Sequence, residues 1–269
     1  MRHIKLFFLL FPSLFGIESS GANVVQSDVF FCYGKLNPLD VKGYSYVVLE
    51  SKNYAIPDVK KFKKLNGKVL AYISLGEVNS QAKYYNKLKD SVLGKNENWD
   101  SYYLNLKRNE TKETLFSIID EILADGYDGL FLDNIDNFCT FGFQASQKEE
   151  LIQFISDLNT KYPNHIFIQN AGLEIIDKTS DFVDALVVES VASNFTFDDK
   201  KYKLRLQSEY DSYIRRLHQI RRKHKLTLIL VEYADTKTLH DEIVKRIQRT
   251  GFMYFIGSID LQGFPQFSE

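Results

Sequence analysis

Acidic side chains directly follow apolar runs at several separated points of this 269-residue chain. In the stretch DGLFLDNIDNF, residues 128–138, an apolar segment suited to a buried strand leads straight into Asp133, and Asp136 follows. Because burying an unpaired carboxylate is costly, such acids are expected where the chain leaves its apolar core. Five apolar runs end in this way, at Glu50, Glu77, Asp133, Glu189 and Glu232.

Two carboxylates that face each other can cleave a glycosidic bond, one as an ionised nucleophile or base and the other as a protonated acid. Repulsion between neighbouring acids raises one pKa and so helps that group to keep its proton. We predict that Asp133 and Glu189 form the catalytic pair, with Asp133 as nucleophile and Glu189 as acid and base. The opposite division of roles stays open at this point, as does the choice between retention and inversion.

The remaining polar and aromatic side chains near the ends of these runs are expected to bind substrate. Asp136 and Glu232 could equally cap a following helix. The aromatic residues offer flat surfaces on which sugar rings stack, although core packing is the alternative for any one of them, including Phe138. The predicted binding residues are Glu50, Glu77, Asp136, Glu232, Tyr33, Tyr72 and Tyr233.

Eight short apolar runs alternate with helix-like or polar intervals along the chain. Continuous hydrophobic runs are typical of parallel strands covered on both faces. Strands that alternate with helices predict an α/β protein, a single-domain (β/α)8 TIM barrel whose strands all end at one mouth, where the acids would converge. A doubly wound open sheet is the alternative, but no glycine-rich dinucleotide turn supports it. The runs are 29–34, 44–50, 68–77, 127–133, 165–170, 184–190, 226–233 and 251–258.

The intervals carry helical patterns. Residues 112–126 place four apolar side chains on one face, and residues 146–163 open with an apparent capping box of Ser146 and Glu149. Residues 200–225 and 236–251 are also predicted to be helical. Residues 101–106 could form a ninth strand, but we interpret them as part of a long connection after the third strand. The same connection contains Trp99, the only tryptophan.

Residues 1–22 have the layout of a cleavable signal peptide: a basic start, an apolar stretch and small residues before the cleavage point. The apolar stretch is short for a membrane span, although an uncleaved anchor is the alternative. The barrel would then occupy residues 23–269, and the mature protein would be secreted or periplasmic without a stable membrane span. Cys32 and Cys139 are compatible with export, whether they form a disulfide or remain free thiols.

The composition argues against several other classes of protein. The formal net charge is only −1, and no basic stripe with interleaved aromatics indicates nucleic acid binding. No Ser-His-Asp arrangement, H-E-x-x-H helix or phosphate-binding loop is present in the sequence. We therefore expect neither a cofactor nor a metal, although a ring of acids could hold Mg²⁺ or Ca²⁺.

Two motifs resemble a known family. VLAYISLGEV (69–78) and GYDGLFLDNIDNF (126–138) are similar to the YISxGE and GFDGxFLDNxD motifs of the endo-α-1,4-polygalactosaminidases, family 114 of the glycoside hydrolases. The similarity runs from about Val29 to Ile259. It implies a secreted or periplasmic barrel that cleaves α-1,4-linked galactosamine-rich polysaccharide with acids at the ends of strands four and six.

By motif position, the family's two catalytic acids correspond to Asp133 and Glu189, and Glu77 and Asp136 match further acidic pocket positions. Glu50 stands where family members commonly have aspartate. A pocket lined with acids would attract the protonated amines of a deacetylated amino-sugar polymer. The alternatives are a non-catalytic carbohydrate-binding barrel for exopolysaccharide handling and a metal-assisted lyase or aldolase.

Overall fold

The computed structural model describes residues 28–269, and the predicted signal peptide lies outside them. The strands are β1 (Val29–Cys32), β2 (Tyr46–Leu49), β3 (Lys68–Ser74), β4 (Glu77–Asn79), β5 (Val92–Asn96), β6 (Ser101–Leu104), β7 (Gly129–Asp133), β8 (Ile166–Asn170), β9 (Ala185–Glu189), β10 (Ser193–Thr196), β11 (Lys201–Leu204), β12 (Thr227–Tyr233) and β13 (Met253–Gly257). The α-helices are α1 (Ile56–Leu65), α2 (Tyr85–Leu88), α3 (Asn109–Ala124), α4 (Lys148–Lys161), α5 (Ile176–Thr179), α6 (Gln207–His224) and α7 (Lys237–Ile247).

Eight of these strands form one parallel sheet in the order β1-β2-β3-β7-β8-β9-β12-β13. Its two edge strands lie side by side, where the rings of Phe30 and Phe31 both pack against Phe255. Just beyond them, the backbone N–H of Tyr33 donates to the carbonyl of Leu261 at 2.7 Å. Each of the eight apolar runs contains one barrel strand, so the predicted single-domain (β/α)8 barrel is confirmed.

The core lies inside the barrel and between its strands and the surrounding helices. The barrel strands are almost entirely buried, as their continuous apolar sequences require. Helix α3 buries Leu115, Ile118, Ile119 and Ile122 on one stripe, which confirms the face predicted for residues 112–126.

Two local predictions are wrong. Helix α4 begins at Lys148 after Gln147, and no side-chain capping bond is present, so Ser146 and Glu149 do not form a capping box. The predicted helix 200–225 begins only at Gln207, because Lys201–Leu204 form strand β11. The residues of β11 alternate between exposed and half-buried, which is the period of a strand rather than of a helix.

Two insertions rise from the carboxyl ends of the barrel strands. After β3, strands β4, β5 and β6 form an antiparallel sheet in the order β4-β6-β5, so residues 101–106 do belong to the long connection and include a strand of their own. After β9, strands β10 and β11 form an antiparallel hairpin that is not among the elements predicted from the sequence. The insertions therefore flank the part of the mouth at which β7 and β8 end.

Both cysteines are free: Cys32 is buried and Cys139 is half-buried. Within residues 28–269, no helix combines the length and the apolar character needed to cross a membrane.

Candidate active site

Three neighbouring barrel strands end in polar residues. Asp133 is the last residue of β7, Asn170 of β8 and Glu189 of β9. Because β8 lies between β7 and β9 in the sheet, the two acids are two strands apart and Asn170 stands between them. All three side chains line the same cavity at the mouth of the barrel.

The side-chain amide of Asn170 contacts both carboxylates. Its Nδ2 donates to Asp133 Oδ1 at 2.7 Å and to Glu189 Oε1 at 2.6 Å. Since one nitrogen atom contacts both oxygens, these oxygens are at most about 5.3 Å apart, the sum of the two distances. Asn170 is only 5% exposed, and its amide oxygen has no hydrogen-bond partner in the described part of the chain.

The backbone turns sharply directly after each of these three residues. Asn134, Ala171 and Ser190 all adopt positive φ angles, of 61°, 58° and 55°. Such angles are uncommon for residues other than glycine and cluster at functional sites, where the surrounding structure enforces them. Here they end each strand at its polar residue, which fixes where the three side chains enter the mouth.

Two tyrosines hold the outer oxygens of the pair. Tyr72 Oη donates to Asp133 Oδ2 at 2.9 Å, and Tyr233 Oη donates to Glu189 Oε2. Burial and the nearby carboxylates raise the pKa of both phenols well above their usual range, so they remain neutral donors at ordinary pH. Tyr33 packs its ring against that of Tyr72, with centroids 4.7 Å apart.

Burial raises the pKa of both catalytic candidates, but their environments differ. For Glu189, burial and then the Asp133 charge raise the pKa to about 7, against opposing hydrogen bonds from Tyr233 and Asn170. For Asp133, burial also raises the pKa, while three donors oppose it: Asn170, the backbone N–H of Asn134 and Tyr72. Glu189 therefore keeps a proton near neutrality, and Asp133 has more donors to stabilise its charge.

Three other predicted acids reach the cavity. Glu50 follows β2, and burial raises its pKa. Asp136 lies in the short 3₁₀ helix Ile135–Phe138, and burial, followed by the Asp133 charge, raises its pKa. Glu77 does not end a barrel strand: β3 stops at Ser74, and Glu77 begins β4, where it accepts hydrogen bonds from Asn137 at 2.7 Å, from Asn96 and from Ser101.

Glu232 is separate from this group. Its side chain is fully buried, does not line the cavity and accepts hydrogen bonds from the backbone N–H groups of residues 191–193 and from the Ser193 hydroxyl. It therefore organises the segment that follows Glu189 and does not face the mouth. Phe138 is also fully buried, so core packing accounts for it.

The cavity has a volume of about 1250 Å³. It brings together Tyr33, Glu50, Tyr72, Glu77, Asp133, Asp136, Glu189 and Tyr233, all of them predicted. Asn170 and Trp99 also line the cavity, and neither is among the site residues predicted from the sequence. Eight acidic and four basic residues line it, so its field favours cations. Among residues 28–269, no group of three or more His, Cys, Asp or Glu is placed to hold a metal ion.

Known proteins share this barrel. The glycoside hydrolase domain of PelA from Pseudomonas aeruginosa superimposes with a TM-score of 0.77 at 24% identity, covering 88% of this chain and 96% of that domain. Ega3 of Aspergillus fumigatus, solved in complex with galactosamine, gives 0.68 at 18% identity, covering 87% of this chain and 91% of that one. At these identities the likeness is one of fold.

An uncharacterized protein of Methanocaldococcus jannaschii is 26% identical over 227 residues, which cover 78% of this chain. The match spans 64% of that relative's length. The model of glycoside-hydrolase family GH114 matches residues 25–269, which include every barrel strand and all of the cavity. This chain belongs to glycoside-hydrolase family GH114, and it is a glycosidase.

Proposed function

We propose that this glycosidase is a secreted enzyme that cleaves α-1,4-linked galactosamine-rich polysaccharide, with Asp133 as nucleophile and Glu189 as acid and base. The observation that carries the proposal is the contact of Asn170 Nδ2 with both carboxylates at 2.7 and 2.6 Å. Two acids held this close, in one cavity and with different donor sets, are what a glycosidic bond requires on its two sides.

The short separation favours a retaining mechanism. Retaining glycosidases hold their carboxyl groups roughly 5–5.5 Å apart, whereas inverting enzymes leave about 6.5–9.5 Å to admit a water molecule. The limit of about 5.3 Å between the nearest oxygens of Asp133 and Glu189 fits the first class.

In the first step, Asp133 attacks the anomeric carbon while Glu189 gives its proton to the departing glycosidic oxygen, which leaves a glycosyl ester on Asp133. Glu189, now ionised, then takes a proton from a water molecule, and that water releases the sugar from Asp133. The raised pKa of Glu189, about 7, supports its role as the proton donor.

Three observations support the choice of substrate. The excess of acids over bases in the cavity suits a polymer that carries protonated amines. The motifs around Glu77 and Asp133 resemble those of polygalactosaminidases. Ega3, which shares the fold, was solved with galactosamine bound. Secretion rests on the predicted signal peptide in residues 1–22.

Incubation of the mature protein with deacetylated and acetylated galactosaminoglycan, with products identified by mass spectrometry, tests the proposal. Depolymerisation of the deacetylated polymer is expected, and Asp133→Asn and Glu189→Gln should each abolish it in folded protein. Asp157→Asn, on the exposed face of α4, is the matched control. Full activity in either active-site variant, or no cleavage by the wild type, contradicts the proposal.

A further inference from the structure

Two aromatic rings from separate insertions meet at the mouth of the barrel. Trp99 lies in the turn between β5 and β6, and Phe197 lies in the turn between β10 and β11. Their rings contact edge to face, with centroids 5.3 Å apart and planes at 85°. The two insertions follow β3 and β9, so this contact joins the two sides of the mouth that flank β7 and β8.

Both rings remain nearly half exposed to solvent in spite of this contact. Trp99 is 48% exposed and Phe197 is 44% exposed. If the two rings only held the insertions together, most of their apolar surface would be expected to be buried in the contact. The pair therefore presents a surface suited to a ligand.

The backbone around Trp99 is firmly held. The Trp99 carbonyl accepts a hydrogen bond from Asn79 Nδ2 at 2.9 Å. The next residue, Asp100, is paired with Lys95 at 3.1 Å and accepts a hydrogen bond from Ser80 at 2.5 Å. The ring is thus presented from an anchored turn, which lowers the entropic cost of binding a ligand there.

Trp99 lines the same cavity as the catalytic pair. At about 1250 Å³ the cavity is larger than the roughly 300–1,000 Å³ typical of pockets for one drug-sized ligand. A chain of sugars that passes between Asp133 and Glu189 therefore has room to continue towards Trp99.

The chemistry of Trp99 matches a cationic sugar. The indole face is the best aromatic partner for an ammonium group, and its flat surface also suits the apolar face of a sugar ring. Within the described residues, the lysine and arginine side chains that lie over aromatic rings use Phe116, Tyr162, Tyr213, Phe252 and Tyr210, not Trp99. The face of the indole is thus left for a cation from outside.

We propose that the Trp99–Phe197 pair is a remote binding subsite for the amino-sugar chain, where one ring of the polymer stacks beyond the sugars that flank the cleaved bond. This inference rests on the proposed function and adds to it a second point of attachment, which makes the enzyme prefer long chains over short ones.

Because Trp99 is the only tryptophan, its fluorescence reports directly on this subsite. The experiment titrates the Glu189→Gln protein with galactosamine disaccharide and then with galactosamine hexasaccharide. Binding is followed in parallel by calorimetry, which detects a ligand anywhere in the cavity. The hexasaccharide is expected to change the tryptophan emission, and the disaccharide is expected to bind without doing so.

A second variant tests the partner ring. Phe197→Ala keeps the fluorophore but removes one of the two rings, so hexasaccharide affinity should fall about tenfold, the loss expected for one aromatic contact. The control is Leu93→Ala, which removes a similarly exposed apolar side chain from strand β5, in the same insertion as Trp99. Thermal melting identifies any variant that loses its fold.

The outcomes separate this inference from the proposed function. Heat of binding for the hexasaccharide without a change in tryptophan emission overturns the subsite and leaves the proposed function standing. Equal losses of affinity in Phe197→Ala and Leu93→Ala also overturn the subsite. Absence of binding for every oligosaccharide overturns the proposed function and the subsite together.

Discussion

Asp133 and Glu189, 56 residues apart in the chain, share a single hydrogen-bond donor, the side-chain nitrogen of Asn170. The shared donor limits the separation of the two oxygens that it contacts, Asp133 Oδ1 and Glu189 Oε1. It also partly offsets the repulsion between the two acids, because its hydrogen bonds lower both pKa values. Tyr72 and Tyr233 then hold the outer oxygen of one acid each. The geometry of the pair thus depends on three uncharged side chains.

The first prediction concerns Asn170. Replacing it with alanine leaves both carboxylates without their common donor. We expect kcat to fall by about a hundredfold, because the two carboxylates are no longer held in a fixed relative position. The pKa of Glu189 should also rise, so the alkaline limb of the pH–rate profile should move to higher pH. Steady-state kinetics across pH measure both effects.

A purely structural role for Asn170 would reduce the amount of folded enzyme without moving the pH limb. A profile of unchanged shape in Asn170→Ala would therefore contradict the positioning role. Gln169→Ala is a suitable control. The Gln169 side chain is next to Asn170 in the chain and is also buried, but its hydrogen bonds are with Thr179 and Ala171 and not with either carboxylate.

The second prediction concerns the pH dependence of the wild type. With the proposed roles, activity needs Asp133 ionised and Glu189 protonated, so the rate should depend on pH in a bell shape. It should rise through the raised pKa of Asp133 and fall as pH increases through about 7, the pKa of Glu189.

The third prediction uses the two tyrosines to assign the limbs. Tyr72→Phe removes a donor that lowers the pKa of Asp133, so the acid limb should move to higher pH. Tyr233→Phe removes a donor that lowers the pKa of Glu189, so the alkaline limb should move to higher pH. If Tyr72→Phe moved the alkaline limb and Tyr233→Phe moved the acid limb, the assignment of the two roles would be reversed.

The fourth prediction is that ionised Glu189 lowers the free energy of unfolding at alkaline pH. Its folded pKa is about 7 against an ordinary value of 4.5, so the folded state holds the proton more tightly than the unfolded state does. Folding is therefore progressively destabilised as pH rises from about 4.5 to about 7. Glu189→Gln should increase the free energy of unfolding by about 1–3 kcal/mol at about pH 8.

Chemical denaturation at two pH values measures this difference. The gain should disappear at about pH 4, where Glu189 is protonated in both states. A gain of equal size at both pH values would show that the variant acts through packing and not through ionisation.

The barrel was largely predictable because its strands are continuous apolar runs, a pattern that few other architectures require. The hairpin β10–β11 was missed although the alternation of Lys201, Tyr202, Lys203 and Leu204 has the period of a strand. The contact between Trp99 and Phe197 could not be predicted, because it depends on how two separate insertions fold over the mouth.

The charged residues of the site could be predicted from the sequence, but its uncharged residues were harder to recognise. Asp133 and Glu189 were found as acids at strand ends, whereas Asn170 ends its run in the same manner but is uncharged and was passed over. Glu232 and Tyr233 were both assigned to the mouth, although successive residues of a strand point to opposite faces. Tyr233 contacts Glu189, so Glu232 faces away from it.

The most direct test of the catalytic pair is the capture of a glycosyl ester. Glu189→Gln should be incubated with a galactosaminide that carries a good leaving group, since such a substrate needs no acid for the first step but still needs the base for the second. Intact-mass and peptide mass spectrometry should then find one sugar attached to the peptide that contains Asp133. A sugar attached to another residue, or a first product of inverted configuration released by the wild type, would contradict the retaining mechanism with Asp133 as nucleophile.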